Sequence, residues 1–296
     1  MTRLRDDAGM ILVNVLMFVA IASGLVLLMI NREELALDRS LRVREAARAM
    51  AAVRGGELSA IVALRRDAVT AAEVDSVVEP WAALSESGAP IEGGTFDLAI
   101  ADAEGRFNVN MLRSGSAAAA ILFQEVARIA GLDHDQSVRA IEMVRQAGPF
   151  TDLRPIRAAG LDAATTARLQ ALVTALPGET AINLNAATPE IMGLMFRDPV
   201  VADRLLKVRE RQGQLTLKDL SDNNVTMPHG ASFRSNTFWV RTRATIGGTV
   251  QQGATLIQRR GGADGKVETV AVERWLNAAV PPDAPGFAVP SPTRSP

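Results

Sequence analysis

The 296-residue chain predicts an α+β fold, with a long N-terminal helix packed on a small antiparallel sheet and a large all-helical insertion between the strands. Three observations lead there. A charge-free apolar run over residues 9–30 passes, without a proline, into a helical pattern that reaches about residue 66. Strand-like alternation occurs near residues 96–111 and returns near residues 238–275. Between these strand regions, residues 113–232 carry helix caps and breakers and little alternation.

The apolar run comes first. As a helix at about 1.5 Å per residue, residues 10–30 extend roughly 31 Å, close to the hydrocarbon thickness of a bilayer. A transmembrane helix is therefore expected. A cleaved secretory signal is the competing reading, because Ala20, Ile21 and Ala22 form a small-x-small site. Cleavage there would leave residues 25–30 as an apolar stub at the mature terminus. Arginine counting leaves the orientation open: Arg3 and Arg5 precede the run, and Arg32, Arg39, Arg42, Arg44 and Arg48 follow it.

Beyond Ile30 the apolar positions Val43, Ala46, Met50, Val53, Leu58, Ile61 and Leu64 keep near-helical spacing, so the helix continues with one stripe for a globular domain. Gly55 and Gly56 are expected to weaken it. Phe96, Leu98 and Ile100, the turn Asp102-Ala103-Glu104-Gly105, and Phe107, Val109 and Met111 then predict a hairpin. Within the insertion Thr188 and Pro189 mark a helix start. A weak internal repeat pairs Phe107-Asn108-Val109-Asn110 with Ile182-Asn183-Leu184-Asn185. Alternation from Phe238, glycine pairs at 247–248 and 261–262, and a run ending at Trp275 predict a three-stranded meander. Residues 281–296 hold six prolines and are expected to be a disordered tail.

Composition narrows the chemistry. The net charge of −1 gives no global field for nucleic acid, and the absence of cysteine removes disulfides, zinc thiolates and thiol nucleophiles. His134 reads as part of a capped helix start after Asp133, and His229 lies in a Pro-His-Gly turn. Neither has a partner at metal-ligand spacing, and no phosphate loop, dinucleotide fingerprint or serine elbow is present, so no enzyme is expected. Residues 182–220 resemble a helix-hairpin-helix module, a device that grips DNA phosphates. The hairpin position here, Phe196-Arg197-Asp198-Pro199, lacks the glycines and adds a carboxylate, and six basic residues face five acidic ones over that stretch. A membrane-anchored nucleic-acid-binding protein is thus the alternative function, and nucleic acid is not the expected partner. The acidic groups at Asp102 with Glu104, and at Asp219 with residues 222–224, miss calcium-loop spacing and read as turns.

Gly9 followed by this apolar helix resembles the leader of type IV pilins and pseudopilins. That resemblance implies cleavage by a prepilin peptidase after Gly9, with Met10 as an N-methylated mature terminus and the bulk of the chain in the periplasm. Most pilins carry glutamate at mature position five; here Asn14 stands there. The missing glutamate, the helical insertion, residues 102–110 and 182–190 and the closing strands from Phe238 together resemble the K-type minor pseudopilins of type II secretion. The resemblance implies a pilin-like helix on the sheet, inner-membrane anchoring, I- and J-type minor pseudopilins and the pseudopilus as partners, and exported protein as a further contact. It implies a role at the pseudopilus tip, starting or capping assembly. A carboxylate in lipid is costly unless paired, and a tip subunit has no predecessor whose ammonium it must meet, which suits Asn14 as an assembly residue. Calcium is associated with the family's helical domain, but the acidic, tyrosine-containing stretch ahead of residues 148–153 is missing and tyrosine is absent, so no cofactor is expected. The expected divisions are a prepilin-type leader (1–9), transmembrane helix (10–30), periplasmic helix (31–66), first part of the sheet domain (67–112), helical insertion (113–232), closing strands (233–280) and tail (281–296).

Overall fold

The computed structural model describes residues 6–70, 73–262 and 267–287. Helix α1 (Asp6–Thr70) is continuous for 65 residues, about 98 Å, and runs four residues past the expected end. Residues 1–5 of the expected leader lie outside the described residues. On α1 the residues Ala49, Val53, Gly56, Ala60, Leu64, Asp67 and Ala68 are buried, a three-to-four spacing that lays one stripe on the sheet. Gly56 does not break the helix. A Cβ there would meet the Phe96 ring and the Thr242 methyl, so this glycine lets the helix and the sheet approach closely.

Strands β1 (Glu86–Ile91) and β2 (Gly94–Asp102) form a hairpin whose turn uses Gly93 at positive φ. The polar sequence of β1, with Pro90 inside it, suits an edge strand. The expected hairpin across residues 102–105 is not formed. Phe107–Asn108 is instead a two-residue strand, β3, followed by a 3-10 turn over Val109–Ser114. Phe107 and Val109 are fully buried in the core of the insertion, so their alternation reports insertion packing rather than sheet packing.

Helices α2 (Ala117–Ala130), α3 (His134–Gln146) and α4 (Ala163–Leu172) lead to β4 (Val173–Thr174), which pairs in parallel with β3. A second pass follows through β5 (Ile182–Asn183), α5 (Pro189–Phe196), α6 (Pro199–Gln212), α7 (Leu217–Asp222) and β6 (Ala231–Ser232), with β6 parallel to β5. The internal repeat is physical. Asn108 and Asn183 each accept a bond from the backbone N–H two residues on. Asn110 holds Phe150 with both amide atoms, donating to its carbonyl at 2.8 Å and accepting from its N–H at 2.8 Å. Asn185 clasps Leu215 in the same way, at 3.1 and 2.6 Å. Each asparagine thereby satisfies one buried peptide group where the chain returns after two helices.

The chain re-enters the sheet as β7 (Thr237–Ile246), β8 (Thr249–Gly261) and β9 (Val267–Leu276), the meander expected from the alternation. The antiparallel order is β1-β2-β7-β8-β9, and Asp102 at the end of β2 pairs with Phe238 at the start of β7. The two ends of the insertion are therefore neighbours, and the segment between β2 and β7 spans residues 103–236, longer at both ends than read from sequence. Leu98, Ile100, Phe238, Val240 and Ile257 face α1 and pack on Ala60 and Leu64. Phe238 stacks edge-on against Trp81 at 5.2 Å, while Trp239 meets Trp275 at 5.3 Å on the outer face, so both rings of the Phe-Trp pair are packing residues. The expectation of a wholly disordered tail is corrected: residues 281–287 lie on the sheet, with Pro281, Asp283 and Ala284 buried.

Candidate functional site

Two regions stand apart chemically: the free half of α1 and a buried polar junction. Within α1, Met10–Thr70 is the one helix among the described residues long and apolar enough to cross a membrane, and its most apolar window has no residue buried against the rest of the chain. Leu12, Leu16, Phe18, Leu27 and Leu28 are all more than half exposed. Such a surface needs lipid or another apolar helix. Gly9 lies within the helix, and Met10 and Asn14 follow one turn apart on the same face, both exposed. The exposed apolar positions continue through Leu35, Leu37, Leu41 and Val43, now interleaved with arginines.

Where α1 ends, its last turns meet the entrance and exit of the insertion. Arg259 on β8 is buried there, donating to Asp67 Oδ2 at 2.5 Å and to Asp75 Oδ1 at 2.6 Å, with its guanidinium 4.5 Å from the centre of the Phe238 ring. Asp75 also receives the Ser235 N–H at 2.9 Å and, on its carbonyl, the Asn183 amide at 3.0 Å. Asn183 and the Ser235 hydroxyl both donate to Asp102 Oδ2, at 2.7 and 2.6 Å. Five chain segments distant in sequence are thus joined by one polar knot. Glu79 adds a further buried carboxylate, bonded by the Ser76 N–H at 2.7 Å and the Trp81 indole at 3.0 Å.

Arg259 is the cation placed among these carboxylates. Burial pushes Asp67 and Glu79 above the ordinary carboxylate range, with Arg259 pulling Asp67 back down. Burial likewise pushes Asp102 up to about 6, against the bonds from Ser235, the Glu104 N–H and Asn183. Glu104 is pushed up to about 7, first by burial, with one carboxylate oxygen left without a hydrogen-bond partner. Ligand atoms of Asp67, Asp75 and Glu79 lie within 4.8 Å of one another, a spacing that suits a cation. The guanidinium already supplies that charge to Asp67 and Asp75, which makes the arrangement a buried ion-pair centre. In the sequence Asp102 and Glu104 read only as a turn; the Asp102 Oδ1 bond to the Glu104 N–H, 2.7 Å, is such a turn, but its other oxygen serves the knot. Arg259 stands out by no motif. Its one signal in the sequence is parity: it shares the helix-facing side of β8 with Thr255 and Ile257, where a charge must find partners.

The remaining candidates resolve as structural groups. His134 opens α3 behind a capping box of Asp133 and Gln136, and both His134 and His229 are exposed. Asp219 caps Thr216, and Asp222 pairs with Lys218. At the α5–α6 hairpin Arg197 takes a left-handed conformation, and the Asp198 carboxylate accepts the N–H groups of Val200 and Val201. The helix terminus that would meet a phosphate is already occupied by an anion.

No protein-family model matches the chain. Type II secretion system protein K of Pseudomonas aeruginosa is 27% identical over 314 residues, covering 90% of this chain and 92% of that protein. A chain in the crystal structure of the GspK-GspI-GspJ complex from the type 2 secretion system of enterotoxigenic Escherichia coli is similar with a TM-score of 0.62. At 18% identity, over 81% of this chain and 99% of that one, this likeness is one of fold.

Proposed function

We propose that this chain, which is similar to type II secretion system protein K, is a minor pseudopilin, anchored in the inner membrane by residues 10–30 with its folded part in the periplasm. The relationship over nine-tenths of the chain carries this reading. The uncovered apolar half of α1 supports it, because an assembly helix must pass from lipid into a filament of like helices. The role is structural: the polar groups are spent on holding the insertion to the sheet and on capping helices. The K-type resemblance implies cleavage after Gly9, which makes Met10 the mature, methylated end.

The finer proposal is placement at the pseudopilus tip, in company with I- and J-type minor pseudopilins. The Escherichia coli chain of similar fold is held in a complex of GspK, GspI and GspJ, which supports such a set here. Asn14 supports the tip position, since a neutral amide needs no ammonium partner in lipid. The test is co-purification of the full chain, in detergent, with its own I- and J-type pseudopilins. A stable ternary complex is expected, and Asn14→Glu should leave it intact while reducing secretion. Normal secretion and normal pseudopilus incorporation by Asn14→Glu would defeat the tip argument.

A further inference from the structure

Residues 281–287 hold contacts that their composition does not suggest. Ala284 is buried in the outer-face cluster with Trp239, Leu256 and Trp275. Arg241 Nη1 donates to the Pro285 carbonyl at 3.0 Å. The Phe287 ring lies 4.8 Å from the Arg241 guanidinium carbon and 4.6 Å from that of Arg243. Asp283 is nine-tenths buried, neither of its oxygens has a hydrogen-bond partner in another residue, and the charges acting on it are Asp152, Arg106 and Arg154, all from the insertion. The segment therefore touches the sheet at three points, and Ala284 shares its cluster with Ala103 and Leu176 of the insertion.

The sheet face beneath has a chemical reason to hold it. Arg241 and Arg243 stand side by side on the outer face of β7, and Asp97 is bonded to Arg243 at 2.8 Å. Among the described residues Arg241 bonds Gln252 at 3.4 Å besides the Pro285 carbonyl. Two adjacent guanidinium groups, of which Asp97 pairs with Arg243, leave positive field over, which an aromatic face and a carbonyl oxygen can meet without a full charge. Prolines at 281, 282 and 285 limit the freedom of the free segment, so ordering it costs less.

We infer that the outer face of β2 and β7, centred on Arg241 and Arg243, is a docking site for an extended, aromatic-bearing segment. Residues 281–287 fill it within the same chain and fasten the insertion to the sheet. The full chain in detergent, with Phe287→p-benzoylphenylalanine, tests this by photocrosslinking and peptide mapping. The expected product is an intramolecular crosslink to residues 94–102 or 237–246, lost when Arg241→Gln and Arg243→Gln are added. No crosslink, a crosslink only between copies, or one indifferent to the arginines overturns the inference. Should the double variant unfold, hydrogen exchange of the full chain with Phe287→Ala decides, since that residue lies outside the core clusters. Faster exchange at Ala284, whose N–H meets the Pro281 carbonyl, is expected, and unchanged exchange overturns the inference.

Discussion

Residues 10–30 and residues 49–68 belong to one helix, yet the first stretch is exposed throughout among the described residues and the second is half covered by the sheet. The first is apolar on every side, so no direction of packing is specified and lipid or sister helices must supply the medium. The second keeps apolar and small residues on one stripe, from Ala49 through Gly56 to Leu64, and carries charge elsewhere. Glu45 and Glu57 fasten that half: Glu45 accepts from Thr249 at 2.9 Å, while Glu57 accepts from Thr255 at 2.8 Å and from Arg274 at 2.7 Å. Periodicity, more than apolar content, separates a helix that folds with its own chain from one that waits for another.

Three changes would break this contrast in decreasing order. Gly9→Leu acts only on the free half. Full loss of leader cleavage is expected with the folded part unaffected, and a mature-sized product in mass spectrometry would end the claim of a pilin-type leader. Arg259→Met acts where the packed half ends. Removing one partner leaves Asp67 and Asp75 buried without their cation, at a cost of about 3–5 kcal/mol, read from denaturant unfolding with the methionine variant set against wild type. The third is a matched pair, Leu64→Ala and Leu28→Ala. Leu64 is fully buried and should lose about 2–5 kcal/mol through the cavity it leaves. Leu28 is 62% exposed, so its truncation should leave unfolding of the folded part unchanged. Equal effects from the two would show that the halves are not energetically distinct.

The same contrast shows what was legible in the sequence. The long helix and the closing meander follow from period and turn residues, because each is a local pattern with one buried side. Strand β1 was not visible: Glu86, Ser87, Gly88 and Pro90 are poor strand formers, accepted at an edge where one side of the ladder is open. The hairpin assigned to residues 96–111 failed for a different reason. Asn108 and Asn110 are buried, paired amides, so polar and apolar positions both point inward and imitate a strand with one wet face. The junction was the least legible, since Asp67, Asp102, Asn183 and Arg259 meet only after both ends of the insertion are brought together. Single residues there look like ordinary surface charge until the topology is known.

The smallest predicted effect lies in that junction and distinguishes it from the free helix, which has no titrating side chain between residues 10 and 30. Glu104 has a folded-state value of about 7, above the ordinary 4.5, so the folded state holds its proton more tightly than the unfolded chain. Its stabilising contribution is fully present below about pH 4.5 and is lost as pH rises through about 7. Asp102, raised to about 6, acts in the same direction. For Asp97 and Asp152 burial acts upward, but Arg243 with the Gly88 N–H and the Ser87 hydroxyl at Asp97, and Arg154 at Asp152, together outweigh it and hold both low, so their contribution is lost only as pH falls below the ordinary carboxylate value. Unfolding free energy should therefore decline from about pH 5 to about pH 8, by on the order of 2 kcal/mol from Glu104. Glu104→Gln removes the titrating group while keeping its shape, and should flatten most of that slope in urea titrations at each pH. A slope that is unchanged in the glutamine variant would move the origin of the pH dependence to Asp102 or to Asp67 and Glu79 beside Arg259.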